Sequence, residues 1–132
     1  MTARQLPDLV QAYRALAHPA RIRILAMLRT GELCACQITA VLALAPSTVS
    51  AHLAELRRAR LITERKEGRW VHYRAAEPEG AAQIGEWLSH QLKRDAQVRR
   101  DAAVVKQLRR IPLAELCSAG FDLDQLAMSR TA

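Results

Sequence analysis

Apolar residues Leu6, Leu9, Val10, Tyr13, Leu16 and Ala17 recur at the spacing of one helix face. Pro19 predicts the end of that helix and suits the first turn of a second, where its missing N–H is not needed. Ile22, Leu25, Ala26 and Leu28 give the second helix its inward side, and Thr30-Gly31 is its stop signal. A third helix is predicted over about Leu33 to Leu42, with Ile38, Val41 and Leu42 inward. After Ala43-Leu44-Ala45, Pro46 opens a fourth, whose Val49, Leu53 and Leu56 face the core. Its other side carries Ser47, Thr48, Ser50, Ala51, His52 and Glu55, small or hydrogen-bonding groups with no bulky hydrophobe. Two short helices in succession, the second with such a face, form the helix-turn-helix pattern.

Beyond Leu61 the period changes to two. Ile62–Lys66 and Arg69–Arg74 read as strands, with Val71 and Tyr73 on one face and Trp70, His72 and Arg74 on the other. Glu67-Gly68 is the predicted two-residue turn, Gly68 being free to take positive φ. This hairpin is a wing. From Pro78 one long helix is predicted to about Arg110, striped by Ile84, Leu88, Leu92, Val98, Ala102, Val105 and Leu108. A helix of that length projects beyond a small domain, so its stripe is expected to pack on a twin subunit. Pro112 interrupts it, and Ala114–Leu126 forms a short terminal helix. The expected fold class is mainly α with a small β-hairpin: a winged helix-turn-helix dimerising through its terminal helices. Residues 1–110 make the DNA-binding and dimerisation domain, and 111–132 a tail carrying Cys117.

A chain of 132 residues fits one domain. Its net charge of +7 points to a polyanionic partner, double-stranded DNA before membrane. Residues 57–74 hold seven cations against two carboxylates, and residues 93–110 repeat that balance, so charge alone does not locate the binding face. The amino terminus lacks the apolar core of a signal peptide, and no stretch approaches the ~20 apolar residues of a membrane span. A soluble, cytoplasmic protein is expected. In a reducing compartment its three cysteines are better suited to metal binding or thiol chemistry than to a structural bridge. No Ser-His-Asp set, phosphate loop or thioredoxin-like βαβ pattern accompanies them, so neither an enzyme nor an organic cofactor is expected.

Gly31-Glu32-Leu33-Cys34-Ala35-Cys36, then Leu42-Ala43-Leu44-Ala45-Pro46-Ser47-Thr48-Val49-Ser50-Ala51-His52-Leu53, then Gly68-Arg69-Trp70-Val71-His72-Tyr73-Arg74 together resemble the ArsR/SmtB family of winged-helix metalloregulators. Within that family the arsenical-resistance repressors are most similar, over roughly residues 10–76. The resemblance implies a homodimer that occupies its operator when metal-free and leaves it on binding As(III), or Sb(III), through cysteine thiolates. Those repressors commonly carry Cys-x-Cys-x-x-Cys, and Thr39 stands at the third position here. The family's cadmium and lead sensors use N-terminal cysteines, absent before Cys34. Its zinc sensors use His and carboxylates on the last long helix, where this chain offers only His90. The family usually ends the recognition helix with Gly; this chain has Arg60, which costs ~1 kcal/mol in a left-handed conformation.

The candidate metal ligands are Cys34, Cys36 and Cys117. On a regular helix residues 34 and 36 differ by about 200°, so packing explains at most one thiol, and a helix N-terminus favours the thiolate. Cys117 is the remaining sulfur for an ion that favours three. The candidate DNA contacts are Ser47, Thr48, Ser50, Ala51 and His52 on the recognition helix, with Lys66 and Arg69 flanking the wing turn. Arg57 and Arg58 read as phosphate contacts or plain surface, Arg65 is expected to point away, and Trp70 and Tyr73 to pack. His18, His72 and His90 read as structural or surface residues. The alternative function is a repressor of the same fold whose cysteines sense oxidants or persulfides.

Overall fold

A computed structural model of the chain describes residues 5–76 and 79–118. Helix α1 (Leu6–Leu16) leads into α2 (Pro19–Leu28), and a two-residue strand β1 (Leu33–Cys34) precedes α3 (Ala35–Leu42). Helix α4 (Pro46–Arg58) is followed by the hairpin β2 (Ile62–Glu67) and β3 (Trp70–Ala75). Helices α5 (Glu79–Gln91), α6 (Ala96–Leu108) and α7 (Leu113–Ser118) complete the described chain. Pro78 and residues 119–132 lie outside the described residues, and so does the predicted continuation of the terminal helix to Leu126. The fold is the winged helix-turn-helix expected from the sequence.

Prolines do open α2 and α4, each in the first turn. The His18 ring caps α2, its Nδ1 accepting from the Ala20 N–H at 3.1 Å. Between α3 and α4 the chain turns through Ala43, whose φ of 54° satisfies a helix end without glycine. Arg60 does the same after α4 with φ 60°, the strained position expected from the missing glycine. The core gathers Ile24, Met27, Leu33, Ile38, Leu56, Leu61, Ile62, Leu108 and Leu116, all essentially sealed from solvent.

The α1 stripe is divided: Leu6, Leu9, Val10 and Tyr13 are exposed, while Leu16, with Ala12 and Ala15, meets the core. Small alanines let α1 lie close against α2 and α4. The predicted third helix starts two residues late, because Leu33 and Cys34 pair as a strand with Tyr73 and His72 of β3, giving a three-stranded antiparallel sheet in the order β1-β3-β2. The wing turn is Gly68-Arg69 rather than Glu67-Gly68, since Glu67 pairs with Trp70. Gly68 takes φ 60° at the first central position, as in a II′ turn.

The long terminal helix is two helices. Asp95 caps α6, accepting from the Val98 N–H at 2.9 Å, and the chain breaks after Gln91. Helix α6 packs on α2 and α3, and α7 lies against α3. An ion pair fixes this return: Arg23 on α2 donates to both oxygens of the buried Asp101 carboxylate, at 2.8 and 2.9 Å. Gln97 adds a third bond to the same carboxylate. No single described helix is long and apolar enough to cross a membrane. The bent pair α3 and α4, which passes on length and composition, is the helix-turn-helix itself with a 114° break.

Candidate DNA-binding face and thiol site

The inner side of α4 buries Val49, Leu53 and Leu56, which leaves Ser47, Thr48, Ser50 and Ala51 exposed on its outer side. These four sequence-predicted contacts therefore share a free, unbulky face that fits a major groove. His52 does not join them. It is 8% exposed, its Nδ1 accepts from Arg21 Nε at 3.1 Å, and its ring lies 4.3 Å from that of His18. Burial, with His18 and Arg21 close by, holds its pKa below the usual histidine value. The signal was present in the sequence: position 52 is i+3 from Val49 and i−4 from Leu56, on the same inward stripe. His52 is thus a contact between α4 and α2, not an outward-facing group.

On the wing, Lys66 and Arg69 are exposed. The Arg69 guanidinium stacks over the Trp70 ring at 5.0 Å, leaving its edges free to donate. Trp70 and Tyr73 are half-buried packing residues, as expected, and burial with Glu64 nearby pushes the Tyr73 hydroxyl's pKa up. Arg57 pairs with Glu64 and Arg58 with Glu55. Arg65 pairs with Glu32, beside β1, and with Glu67, next to the turn, and holds both carboxyls below their ordinary pKa.

The thiols lie on the other side of α3. Cys34 is the residue before the helix, in extended backbone, its N–H donating to Gln37 Oε1 at 2.8 Å. It is therefore already outside the helical turn that would have held its sulfur apart from that of Cys36. Cys34 and Cys36 are buried, and Cys117 on α7 is partly so. The Sγ atoms of Cys36 and Cys117 are 2.9 Å apart, although the residues are separated by 81 positions. Cys36 also interacts with the thiol of Cys34, which makes it the middle member of the three. Leu116, fully buried, anchors the helix that brings Cys117 in. Thr39 contributes nothing here, since its hydroxyl donates to the Ala35 carbonyl at 2.8 Å.

The expected thiolate is not found at Cys36. Burial, then the hydrogen bond with Cys117 and the nearby Cys34, push its pKa far above the usual thiol value, so desolvation outweighs the helix N-terminus. All three cysteines are free thiols, and among the described residues no three His, Cys, Asp or Glu side chains form a closed metal-binding cluster. The donor set, two buried sulfurs and a third in contact with one of them, suits a soft thiophilic ion and offers no oxygen cage for a hard one.

The bacterial regulatory protein, arsR family, model matches residues 18–64. The arsenical resistance operon repressor of Escherichia coli is 39% identical over 95 residues, 68% of this chain and 81% of that protein. The arsenic resistance transcriptional regulator ArsR1 of Pseudomonas putida is also 39% identical, over 82 residues, and the match spans 60% of its length. Among solved structures, a homodimeric winged helix-turn-helix DNA-binding domain from Mycobacterium bovis, a possible ArsR-family regulator, is similar with a TM-score of 0.60. It is 25% identical, with 73% of this chain and 94% of that one covered. The matched stretch contains the capped α2, Cys34, Cys36 and the whole recognition helix, and the chain belongs to the ArsR family of bacterial transcriptional regulators.

Proposed function

We propose that this regulator is an operator-binding repressor acting in the cytoplasm as a homodimer, released from DNA when As(III) or Sb(III) is held by Cys34, Cys36 and Cys117. The observation that carries the reading is the 2.9 Å approach of the Cys36 and Cys117 sulfurs beside Cys34, at the start of the helix that supports the recognition helix. Similarity to arsenic-resistance regulators of two bacteria supports the choice of ion. Trivalent arsenic exchanges oxygen ligands for thiol sulfur with loss of water, so neutral thiols are competent donors. The chain's own part is to deliver the sulfurs: β1 presents Cys34, the first turn of α3 presents Cys36, and the Arg23–Asp101 pair brings α6 and α7 round with Cys117.

Contact with DNA is assigned to Ser47, Thr48, Ser50 and Ala51 in the groove and to Lys66 and Arg69 on the backbone. His52 holds α4 to α2 in this assignment. The exposed apolar stripe of α1, with Trp87 on α5, is the surface a second copy covers. The deciding experiment is operator binding titrated in turn with arsenite, antimonite, cadmium, lead, zinc and polysulfide. Release by the first two at the lowest concentrations supports the reading. Release by zinc alone contradicts it.

The same sulfur contact favours one second reading, in which an oxidant joins Cys36 to Cys117 as a disulfide. Mass spectrometry separates the two: the redox reading requires loss of two hydrogens or added sulfur, whereas the metalloid reading requires free thiols and a reversible arsenic mass.

A further inference from the structure

Glu32 stands just before β1, and Arg65 lies in the middle of β2, 33 positions later. Arg65 Nε is 2.9 Å from Glu32 Oε2 and its Nη2 is 2.6 Å from Oε1, a two-pronged contact. The third guanidinium nitrogen, Nη1, donates to Glu67 at 2.8 Å. His72 lies between the same carboxylates, its Nδ1 3.9 Å from Glu32 and its Nε2 3.8 Å from Glu67. The sheet register places Cys34, His72 and Arg65 in one cross-strand row, so the group of charges ties the outer strand of the wing, across β3, to the segment that carries Cys34. Lys66 and Arg69, by contrast, have no carboxylate partner among the described residues.

We propose that Glu32 and Arg65 form a clamp that sets the wing's angle against β1, making Arg65 a wing-positioning residue and Glu32 the link through which β1 acts on the DNA-binding hairpin. Three of the five guanidinium N–H groups are spent on two carboxylates whose charge offsets its own, and the ion pair closes a ring across the β1–β3 pairing. The regulatory half, that a change at Cys34 reaches the wing through Glu32, rests on the reading of Cys34 as a ligand. It supplies a route to the wing separate from the one through α3 to α4.

The test uses the full chain labelled with 5-fluorotryptophan, whose fluorine NMR resolves Trp70, beside the wing turn, from Trp87. Operator affinity is measured by fluorescence anisotropy over a salt series for Glu32→Gln, Arg65→Gln and the double variant. Each single substitution is expected to weaken binding about two- to five-fold and to narrow the Trp70 fluorine line as the wing loosens, with the double variant no worse than either single. The salt slope stays at the parental value for Arg65→Gln, whereas loss of a phosphate contact reduces it by about 1. Tighter binding by Glu32→Gln, the result if removing a negative charge were its only effect, overturns the clamp, as do additive singles or a reduced slope for Arg65→Gln. In a second arm arsenite is added, with arsenic–sulfur absorption reporting binding and Trp70 reporting the wing. Parental arsenite affinity with a diminished Trp70 response in Glu32→Gln supports the coupling, and an undiminished response overturns it. If the parental protein itself binds no arsenite, the proposed function fails, and the DNA measurements alone decide the clamp.

Discussion

Helices α3 and α4 are joined by a three-residue link yet meet the rest of the molecule in opposite ways. From Cys36 to Leu42 every residue of α3 is buried, against α4, α6, α7 and the sheet. Helix α4 buries one stripe and leaves an outer face of small polar residues bare. A helix enclosed on all sides cannot shift without moving its neighbours, because close-packed interiors transmit displacement. A half-exposed helix can read a groove while its position is dictated from behind. Under the proposed function the enclosed element senses and the open one reads DNA, a division that mutation can break or sharpen.

The largest effect is expected at the enclosed end. Asp101→Asn leaves the Arg23 guanidinium facing a neutral amide in a nearly buried site and should destabilise the fold by roughly 3 kcal/mol, read by urea unfolding. It should also loosen α6 and α7, lowering arsenite affinity through Cys117 more than operator affinity. A stability loss below about 0.5 kcal/mol would show that the pair does not hold the helical return in place.

On the open helix the same kind of substitution should spare stability and affect recognition. Ser50→Ala is expected to change folding by less than about 0.5 kcal/mol while weakening specific binding about ten-fold. Lys66→Ala and Arg69→Ala should weaken specific and non-specific binding alike and lower the salt slope by about 1 each. Equal losses on both kinds of DNA for Ser50→Ala would misplace the reading face.

Two smaller effects sharpen the boundary between the helices and their supports. Arg60→Gly removes a side chain from a φ of 60° and should stabilise the protein by about 1 kcal/mol in thermal unfolding. His52 has a depressed pKa in the folded state, so the unfolded chain binds its proton more readily. Its contribution to stability is then complete above the ordinary histidine pKa and declines as pH falls through the folded value. A His52→Leu variant should lose that part of the acid sensitivity while retaining the groove-facing residues, and an unchanged pH profile would remove the assigned cause.

Much of the DNA-binding half was legible because each element there carries its own local signal: prolines at two helix starts, the 3.6 period, then the switch to a period of two with Gly68. What was not legible depended on partners distant in the chain. Two residues, Leu33 and Cys34, form a strand only because β3 lies beside them. The stripe of α1 is equally consistent with a core or a second copy, since periodicity does not name what it faces. Leu92 and Val98 continue the apolar pattern across the break before α6, so the pattern concealed a turn that Asp95, an N-cap residue, marked. The three thiols were recognisable as a set by residue type alone. The Cys36–Cys117 contact spans 81 positions and the Arg23–Asp101 pair 78, and no local pattern encodes either.

The most direct test of thiol-controlled DNA binding is arsenite titration of the operator complex formed by the wild type and by Cys34→Ser, Cys36→Ser and Cys117→Ser, with arsenic–sulfur coordination followed by X-ray absorption. All four proteins should bind the operator with near wild-type affinity. The wild type should show three sulfurs and leave the DNA, Cys34→Ser and Cys36→Ser should stay bound, and Cys117→Ser should need more arsenite and show fewer sulfurs. Normal release from either Cys34→Ser or Cys36→Ser, or undiminished three-sulfur coordination in Cys117→Ser, would contradict the account.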